Sequence, residues 1–364
     1  MSRPRGTMLA YRHRPKVPQP VPERIPVPSP RRDEVLLKVL AAGVCHSDLS
    51  ALDPSSFIGQ GLSKLKPFTF GHEGAGIITE LGSSVSASFP HLAIGTYVAV
   101  GPSACFKEDC LRCSMGRPNL CPRAYPHGLG ADGSWAEYLA VRAIALVPIP
   151  AGPERIPPAV AAVATDAVLT AFHAMKTCCG IGPEHTVVCI GLGGVGLNGV
   201  GIAKGCLGVR CLVASDIRES ALQSAAAAGA DYTVPTKTLR KFVKEKNLVV
   251  DFVVDFVGVQ ETFNLSLSVV RPGGTVHTLG LGANTLSVAP INTMMKDLTL
   301  KTSFWGTNTE LREVLQAIAE GKLNPKVETR PMSRCLQVLE DMKHGRLTGR
   351  VALIPEPTPE QSRL

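Results

Sequence analysis

The sequence predicts an α/β protein whose second half is a doubly wound parallel sheet. Three observations predict it: a βαβ unit at "HTVVCIGLGGVGLNGVGIAKGCLGVRCLVASD", a glycine fingerprint inside that unit, and a train of short apolar strands alternating with helix-like segments after it. At 364 residues the chain exceeds what one hydrophobic core usually serves, so two domains are expected.

The β-branched run "TVVCI" reads as a strand leading into Gly191, Leu192, Gly193, Gly194, Val195 and Gly196. Glycines let such a turn tighten, let backbone approach a pyrophosphate and let helix pack on strand, while the helix N-terminus offers N–H groups to the anion. The motif alone is weak evidence. Asp216 strengthens it by ending a second strand, "RCLVASD", twenty residues past Gly196. A carboxylate there accepts both ribose hydroxyls of NAD and repels a 2'-phosphate, so NAD is expected ahead of NADP. Arg218, two places on, softens that preference. Further strands are read at "DYTV", "VVDFVVDFVG" and "GTVHTLGLG", with "ETFNLSLSVVRPGG" as helix and turn, and residues from about 167 to 302 form one domain. "GTVHTLGLG" also offers a strand that pairs across a dyad.

Composition is that of an ordinary globular chain, with 45% apolar and 19% charged residues. The net charge of +8 is concentrated in the first 38 positions and after Arg330. No basic stripe is interleaved with aromatics, which argues against nucleic-acid binding. The longest weakly polar run, "VVCIGLGGVGLNGVGIAKG", reaches a lysine after seventeen residues and is rich in glycine, so no membrane span is expected. The N-terminus lacks an apolar secretory core, although its acid-free, Arg-rich first 22 residues leave a mitochondrial presequence as an alternative. The chain ends in Ser362, Arg363 and Leu364, a conservative variant of the S-K-L peroxisomal address. A cytoplasmic or peroxisomal location is therefore expected. Both keep thiols reduced, so the eleven cysteines read as metal ligands and free thiols rather than disulfides.

Four of them, Cys105, Cys110, Cys113 and Cys121, fall within "CFKEDCLRCSMGRPNLC". Four thiolates close a tetrahedral shell around Zn²⁺, and the flanking "KED" and "GRPN" are loop residues rather than core. Saturated with protein ligands, such a site is structural, in a lobe over about 101–122. A second constellation is dispersed. "GVCHSDLS" holds Cys45, and "FTFGHEGAGIITELG" supplies His72 and Glu73, with His72 twenty-seven residues beyond Cys45. An open catalytic zinc site needs three protein ligands, and Asp166 in "AAVATDAVLTAFHAM" is the third candidate. A carboxylate in an apolar helical segment is seldom buried unless paired or coordinating. The alternative reading makes Asp166 a helix N-cap. Cys178, Cys179, Cys189, Cys206, Cys211 and Cys335 are expected to be core thiols, packing accounts for His173, and His127 is not expected to be a ligand.

Taken in order, "AAGVCHSDL", "GHEGAG", the four-cysteine lobe, "GLGGVG", "VVDFVG", "RPGG" and "GRLTGRVAL" resemble a zinc-containing alcohol dehydrogenase of the medium-chain dehydrogenase/reductase superfamily, over nearly the whole chain. The resemblance implies a Rossmann NAD-binding domain at 167–302 and a GroES-like, mostly β catalytic domain built from 1–166 and 303–364, with the active site between them. It implies a catalytic zinc on Cys45, His72 and Asp166, with Glu73 as an alternate ligand, and a structural zinc on the four-cysteine lobe. Asp48 is expected to fix the imidazole of His72, and His46 to meet the cofactor pyrophosphate. Arg350 is expected to reach toward the cofactor phosphates and Asp48. The proton is expected to leave through Ser47, with Ser50 standing where many members carry a histidine. The implied reaction oxidises a small-molecule alcohol to an aldehyde or ketone, or the reverse, with hydride passing to or from NAD. A homodimer or homotetramer is the implied assembly.

Two departures bear on this. Asp166 stands where ethanol-type members have a second cysteine, similar to a secondary-alcohol-active branch, and an oxygen ligand leaves the metal more electrophilic. Four residues separate Cys105 from Cys110 where the family usually has two, so loss of the structural ion is an alternative. The competing functions are a polyol or specialised-metabolite dehydrogenase of the same superfamily and a non-catalytic NAD-binding scaffold.

Overall fold

The strand Glu34–Val44 is buried along almost its whole length, as a central strand covered on both faces must be. The computed structural model describes residues 6–62, 65–123 and 126–356; the tripeptide Ser362, Arg363 and Leu364 lies outside them. The chain divides into two compact units, one of residues up to 166 with 307–319 and 326 onward, the other of 167–306 with 320–325.

In the first unit, a seven-stranded sheet runs Val327–Pro331, Arg350–Ile354, Glu34–Val44, Gly74–Leu81, Tyr97–Val100 and Leu146–Pro148, with Tyr138–Arg142 also pairing against Glu34–Val44. Val35, Leu37, Ile78, Val98, Leu139 and Val141 form one core on it. A three-stranded sheet, Val21–Pro26, Thr7–His13 and Phe68–Thr69, sits at the chain's start.

In the second unit six parallel strands lie in the order Tyr232–Pro235, Cys211–Asp216, Thr186–Ile190, Phe252–Asp255, Thr275–Thr278, Thr299–Lys301. In chain order this is 3-2-1-4-5-6, the doubly wound arrangement, with its switch point beside Thr186–Ile190. Thr186–Ile190 is buried at every position, which is why "TVVCI" has no polar alternation. Thr275–Thr278 has a partner on each side, so the expected pairing of "GTVHTLGLG" across a dyad does not stand. The sheet's edges are Tyr232–Pro235 and Thr299–Lys301, and the exposed, mixed residues of the latter give little strand signal in sequence.

The helical stretch Pro158–Cys178 is long and apolar enough to cross a bilayer, but 78% of its apolar window is buried inside the fold, as in a core helix. It contains two π-helical turns, Ala164–Val168 and His173–Cys178. The chain's division falls inside the first of them, after Asp166.

Residues 320–325 pack with the second unit, where the sequence reading placed them with the chain ends. The cause is a close approach: a Cβ on Gly205 would overlap the carbonyl oxygen of Lys322. Gly205→Ala is therefore expected to destabilise by about 1–3 kcal/mol from overpacking, although alanine favours a helix over glycine by about 1 kcal/mol. Thermal unfolding checks this; a stabilised variant would contradict the contact.

Candidate metal and cofactor sites

Strand pairing brings Cys45 and His72 together. Glu34–Val44 runs antiparallel to Gly74–Leu81 with Ala42 opposite Gly74, and the Gly43 N–H donates to the Glu73 carbonyl at 3.0 Å. The residues just beyond the paired ends therefore meet. Arg350–Ile354 pairs on the other side with Val351 opposite Val44, which sets Arg350 beside Cys45.

Cys45 is extended (φ −123, ψ 159) and precedes the helix His46–Leu52. One carboxylate ties both ligands down: Asp48, with no solvent exposure, accepts from the Cys45 N–H at 2.8 Å through one oxygen and sits 3.1 Å from His72 Nδ1 through the other. His72 Nε2 points toward Asp166 Oδ2 at 3.4 Å. Burial opposes a charge on His72, yet the Asp48 carboxylate and hydrogen bonds with Asp166, Asp48 and Cys45 hold its pKa well above the usual histidine value. Asp166 is not an N-cap. It lies in the π turn Ala164–Val168, a device that re-aims a side chain within a helix and concentrates at functional sites.

Glu73 is fully buried; burial pushes its carboxyl pKa well up, and the Arg350 guanidinium opposes that. Arg350 Nη2 donates to Glu73 Oε1, so this arginine pairs with Glu73 rather than with Asp48. Glu73 Oε2 has no hydrogen-bond partner among the described residues.

One donor atom each from Cys45, His72, Glu73 and Asp166 lies within 4.8 Å of all the others. A tetrahedron with metal–ligand bonds of about 2.0–2.1 Å has edges of about 3.4 Å. The Nε2–Oδ2 separation matches that edge, and a buried, unsatisfied carboxylate oxygen adjoins the set. Thiolate, imidazole and carboxylate are zinc donors, so the residues fit the ion.

Ser47 Oγ lies 3.8 Å from Cys45 Sγ, His46 is exposed, and the Ser50 carbonyl accepts the Ser56 hydroxyl. Sequence reasoning missed two residues behind the ligands. Ser134 Oγ reaches the carbonyls of Gly71 and Glu73 at 3.0 and 2.9 Å, and Trp135 Nε1 donates to the Gly43 carbonyl at 3.1 Å. The only signal in "DGSWAEYL" was a tryptophan amid small residues.

The cysteine lobe closes despite its wider spacing. Cys105 and Cys113 sulfurs are 3.6 Å apart and those of Cys110 and Cys121 3.9 Å, and all four lie within 4.8 Å of one another. Zn–S bonds of about 2.3 Å give tetrahedral edges of about 3.8 Å. The extra residues are absorbed at Phe106, which takes a left-handed φ of 50. A backbone N–H from Cys113 lowers the Cys110 pKa to about 7, while burial pushes Cys113 up to about 12. Of the other six cysteines Cys189 and Cys335 are fully buried and half-buried Cys211 packs against the second unit's core, while Cys178, Cys179 and Cys206 are half-buried outside the core clusters, which corrects their assignment to the core. Cys178 and Cys179 sit instead against His173 and His277.

In the second unit Gly191 has φ +86, and a Cβ on Gly196 would overlap the Gly191 carbonyl, so turn and helix start need both glycines. Gly193 faces open space, leaving backbone accessible to a ligand alongside half-buried Gly194 and Val195. Asp216 ends its strand almost wholly buried, accepting from Leu192 N at 2.7 Å and Arg218 N at 2.9 Å. Burial opposes its charge, but these donors and the Arg218 side chain hold its carboxyl below the usual range.

Residues 31–151 match the family described as "Alcohol dehydrogenase GroES-like domain", and residues 194–320 match "Zinc-binding dehydrogenase". An alcohol dehydrogenase of Geobacillus stearothermophilus is 32% identical over 324 residues, covering 88% of this chain and 91% of the relative. Among solved structures, acetophenone reductase from Geotrichum candidum in complex with NAD is 32% identical with a TM-score of 0.83, covering 97% of this chain and 98% of that one. The alcohol dehydrogenase of Aeropyrum pernix is 27% identical with a TM-score of 0.85, covering 95% and 100%.

If the lobe holds a metal through its four sulfurs, chelation of a Cys45→Ser variant, which removes the one thiol of the other ligand set, frees four additional thiols for a chromogenic disulfide reagent under native conditions. An unchanged thiol count after chelation would contradict this.

Proposed function

The chain belongs to the zinc-containing alcohol dehydrogenase family, and from that premise we propose that it interconverts a secondary alcohol and its ketone, with Cys45, His72 and Asp166 holding the catalytic ion. The convergence of thiol, imidazole and carboxylate from three separate elements within 4.8 Å carries this reading. Bound there, zinc supplies Lewis acidity to the substrate oxygen, and NAD supplies the hydride acceptor. The protein's own groups do the rest. Asp48 keeps the His72 Nδ1 proton and with it the tautomer whose Nε2 lone pair is free to bind the ion. Ser47, beside Cys45, is the first protein hydroxyl to take the substrate's proton, and Ser50, three residues on, passes it toward solvent in place of a histidine. Glu73, paired with Arg350, is the reserve carboxylate next to the ligand set.

At the glycine turn, the backbone from Gly191 to Gly196 is proposed to receive the pyrophosphate, and Asp216 the adenosine ribose, with Arg218 beside it. His46, exposed in the first unit, is proposed from the family resemblance alone as a cofactor phosphate contact. The four-cysteine lobe is proposed to hold the structural zinc. Asp166 in the ligand set and the aryl-ketone activity in the name of the Geotrichum candidum relative both support a ketone-forming substrate class. The exposed edge strand Thr299–Lys301, with exposed Leu281, Ile291, Met294, Met295 and Phe304 nearby in the chain, supports a homodimer paired through that edge. Peroxisomal import through Ser362, Arg363 and Leu364 is proposed from sequence alone.

The test is NADH formation against primary, secondary, aromatic and polyol substrates with NAD⁺ and NADP⁺. Secondary alcohols with NAD⁺ are expected to give the highest kcat/KM, and His72→Ala to abolish turnover while leaving NADH binding intact. Asp216→Ala removes hydrogen bonds to a charged acceptor, each worth about 1.5–3 kcal/mol, so kcat/KM for NAD⁺ should fall about 10- to 100-fold and the preference over NADP⁺ narrow. Activity confined to NADP⁺, or surviving His72→Ala, would contradict the reading.

A further inference from the structure

We propose that the dipeptide Ser134–Trp135 is a positioning clamp that sets the separation of Cys45 and His72, and so the affinity of the ligand set for its ion; the inference rests on the metal reading above. Both side chains hydrogen-bond to main-chain carbonyls next to or near a donor residue. Each holds the backbone that carries one.

Residues 133–135 lie alongside 69–71, with Gly133 N donating to Thr69 O at 2.9 Å, Ser134 N to Gly71 O at 2.8 Å and Trp135 N to Phe70 O at 2.8 Å. From this position the Ser134 hydroxyl reaches the carbonyls of Gly71 and Glu73, the two residues that flank His72. A hydroxyl has one proton for two acceptors, so it shares or alternates between them and restrains both peptide planes. The indole N–H of Trp135 reaches the carbonyl of Gly43, two residues before Cys45. One dipeptide thus holds the chain on either side of His72, in the link before the strand Gly74–Leu81, and just ahead of Cys45, at the end of the strand Glu34–Val44. Ser134 is 1% exposed and Trp135 0%, so water does not replace either bond.

The local sequence is shaped around this clamp. Gly71 adopts φ +95, and a Cβ there would overlap Trp135 Cδ1 and lie 2.7 Å from Trp135 N and 2.8 Å from Ser134 Oγ. Glycine at position 71 is what lets the clamp approach. Trp135 also packs on Phe70, ring centroids 5.6 Å apart, which fixes the indole without using its N–H. Replacing the tryptophan by phenylalanine therefore keeps the aromatic contact and removes the hydrogen bond.

The four-cysteine lobe is the internal control, because its donors lie outside the segments the clamp touches. Zinc-loaded parent, His72→Ala, Ser134→Ala and Trp135→Phe proteins are challenged with a chromophoric chelator, and the release of each ion is timed. The parent should show two release phases, with one lost in His72→Ala. In Ser134→Ala and in Trp135→Phe that phase should weaken about 10- to 100-fold in affinity, the range for groups that orient metal ligands. The second phase should stay at the parent value. Cobalt substitution should show a shifted ligand-field spectrum in both variants. Unchanged affinity and spectrum in both would overturn the clamp while leaving the metal reading intact, and equal weakening of both phases would reduce it to a general packing role and overturn it too. A parent with no His72-dependent phase would overturn the metal reading and the clamp together. Should Ser134→Ala fail to fold, Trp135→Phe decides.

Discussion

Asp48 makes the two hydrogen bonds on which the first unit's chemistry depends: one oxygen takes the Cys45 N–H and the other faces His72 Nδ1. A carboxylate with no solvent exposure is costly unless its lone pairs are filled, and these two are filled by the very residues that must be held. The same group starts the helix His46–Leu52, since Asp48 is its third residue and bonds back to the N–H of the cap position. Helix start, thiol orientation and imidazole tautomer are consequences of one side chain. Glu73 and Arg350 form a second buried pair on the same sheet, placed there by the pairing of Val351 with Val44.

The second unit solves a different problem by backbone geometry. The anion site proposed there needs N–H groups and an absence of side chains, which glycines at 191, 193 and 196 supply, and a single carboxylate, Asp216, marks the neighbouring strand end. Asp216 is already bonded to Leu192 N inside the glycine turn, which couples the proposed ribose-reading residue to the conformation of the loop proposed to receive the pyrophosphate.

What could be read from sequence followed from how local each feature is. The glycine turn with Asp216 and the cysteine lobe are short-range patterns, and residue type and spacing made them visible as candidates. The strands "TVVCI" and "RCLVASD" were legible because parallel strands buried on both faces are continuous apolar runs. The edge strand Thr299–Lys301 was not, being exposed and without alternation. Cys45 and His72 were visible as candidates, but their meeting depends on antiparallel register between distant segments, which no local pattern encodes. Asp166 was ambiguous for a related reason: a π turn breaks the helical period from which its direction would be read. Ser134 and Trp135 act through main-chain carbonyls, and a side chain bonded to backbone leaves no pattern in spacing.

The central claim is that one ion is gripped jointly by Cys45, His72 and Asp166. Anomalous diffraction at the zinc edge from crystals of the metal-loaded protein tests it most directly. The account requires a peak within bonding distance of Cys45 Sγ, His72 Nε2 and an Asp166 carboxylate oxygen, separate from any in the cysteine lobe. Density showing these three side chains turned apart, with zinc only among the four cysteines or nowhere, would contradict it.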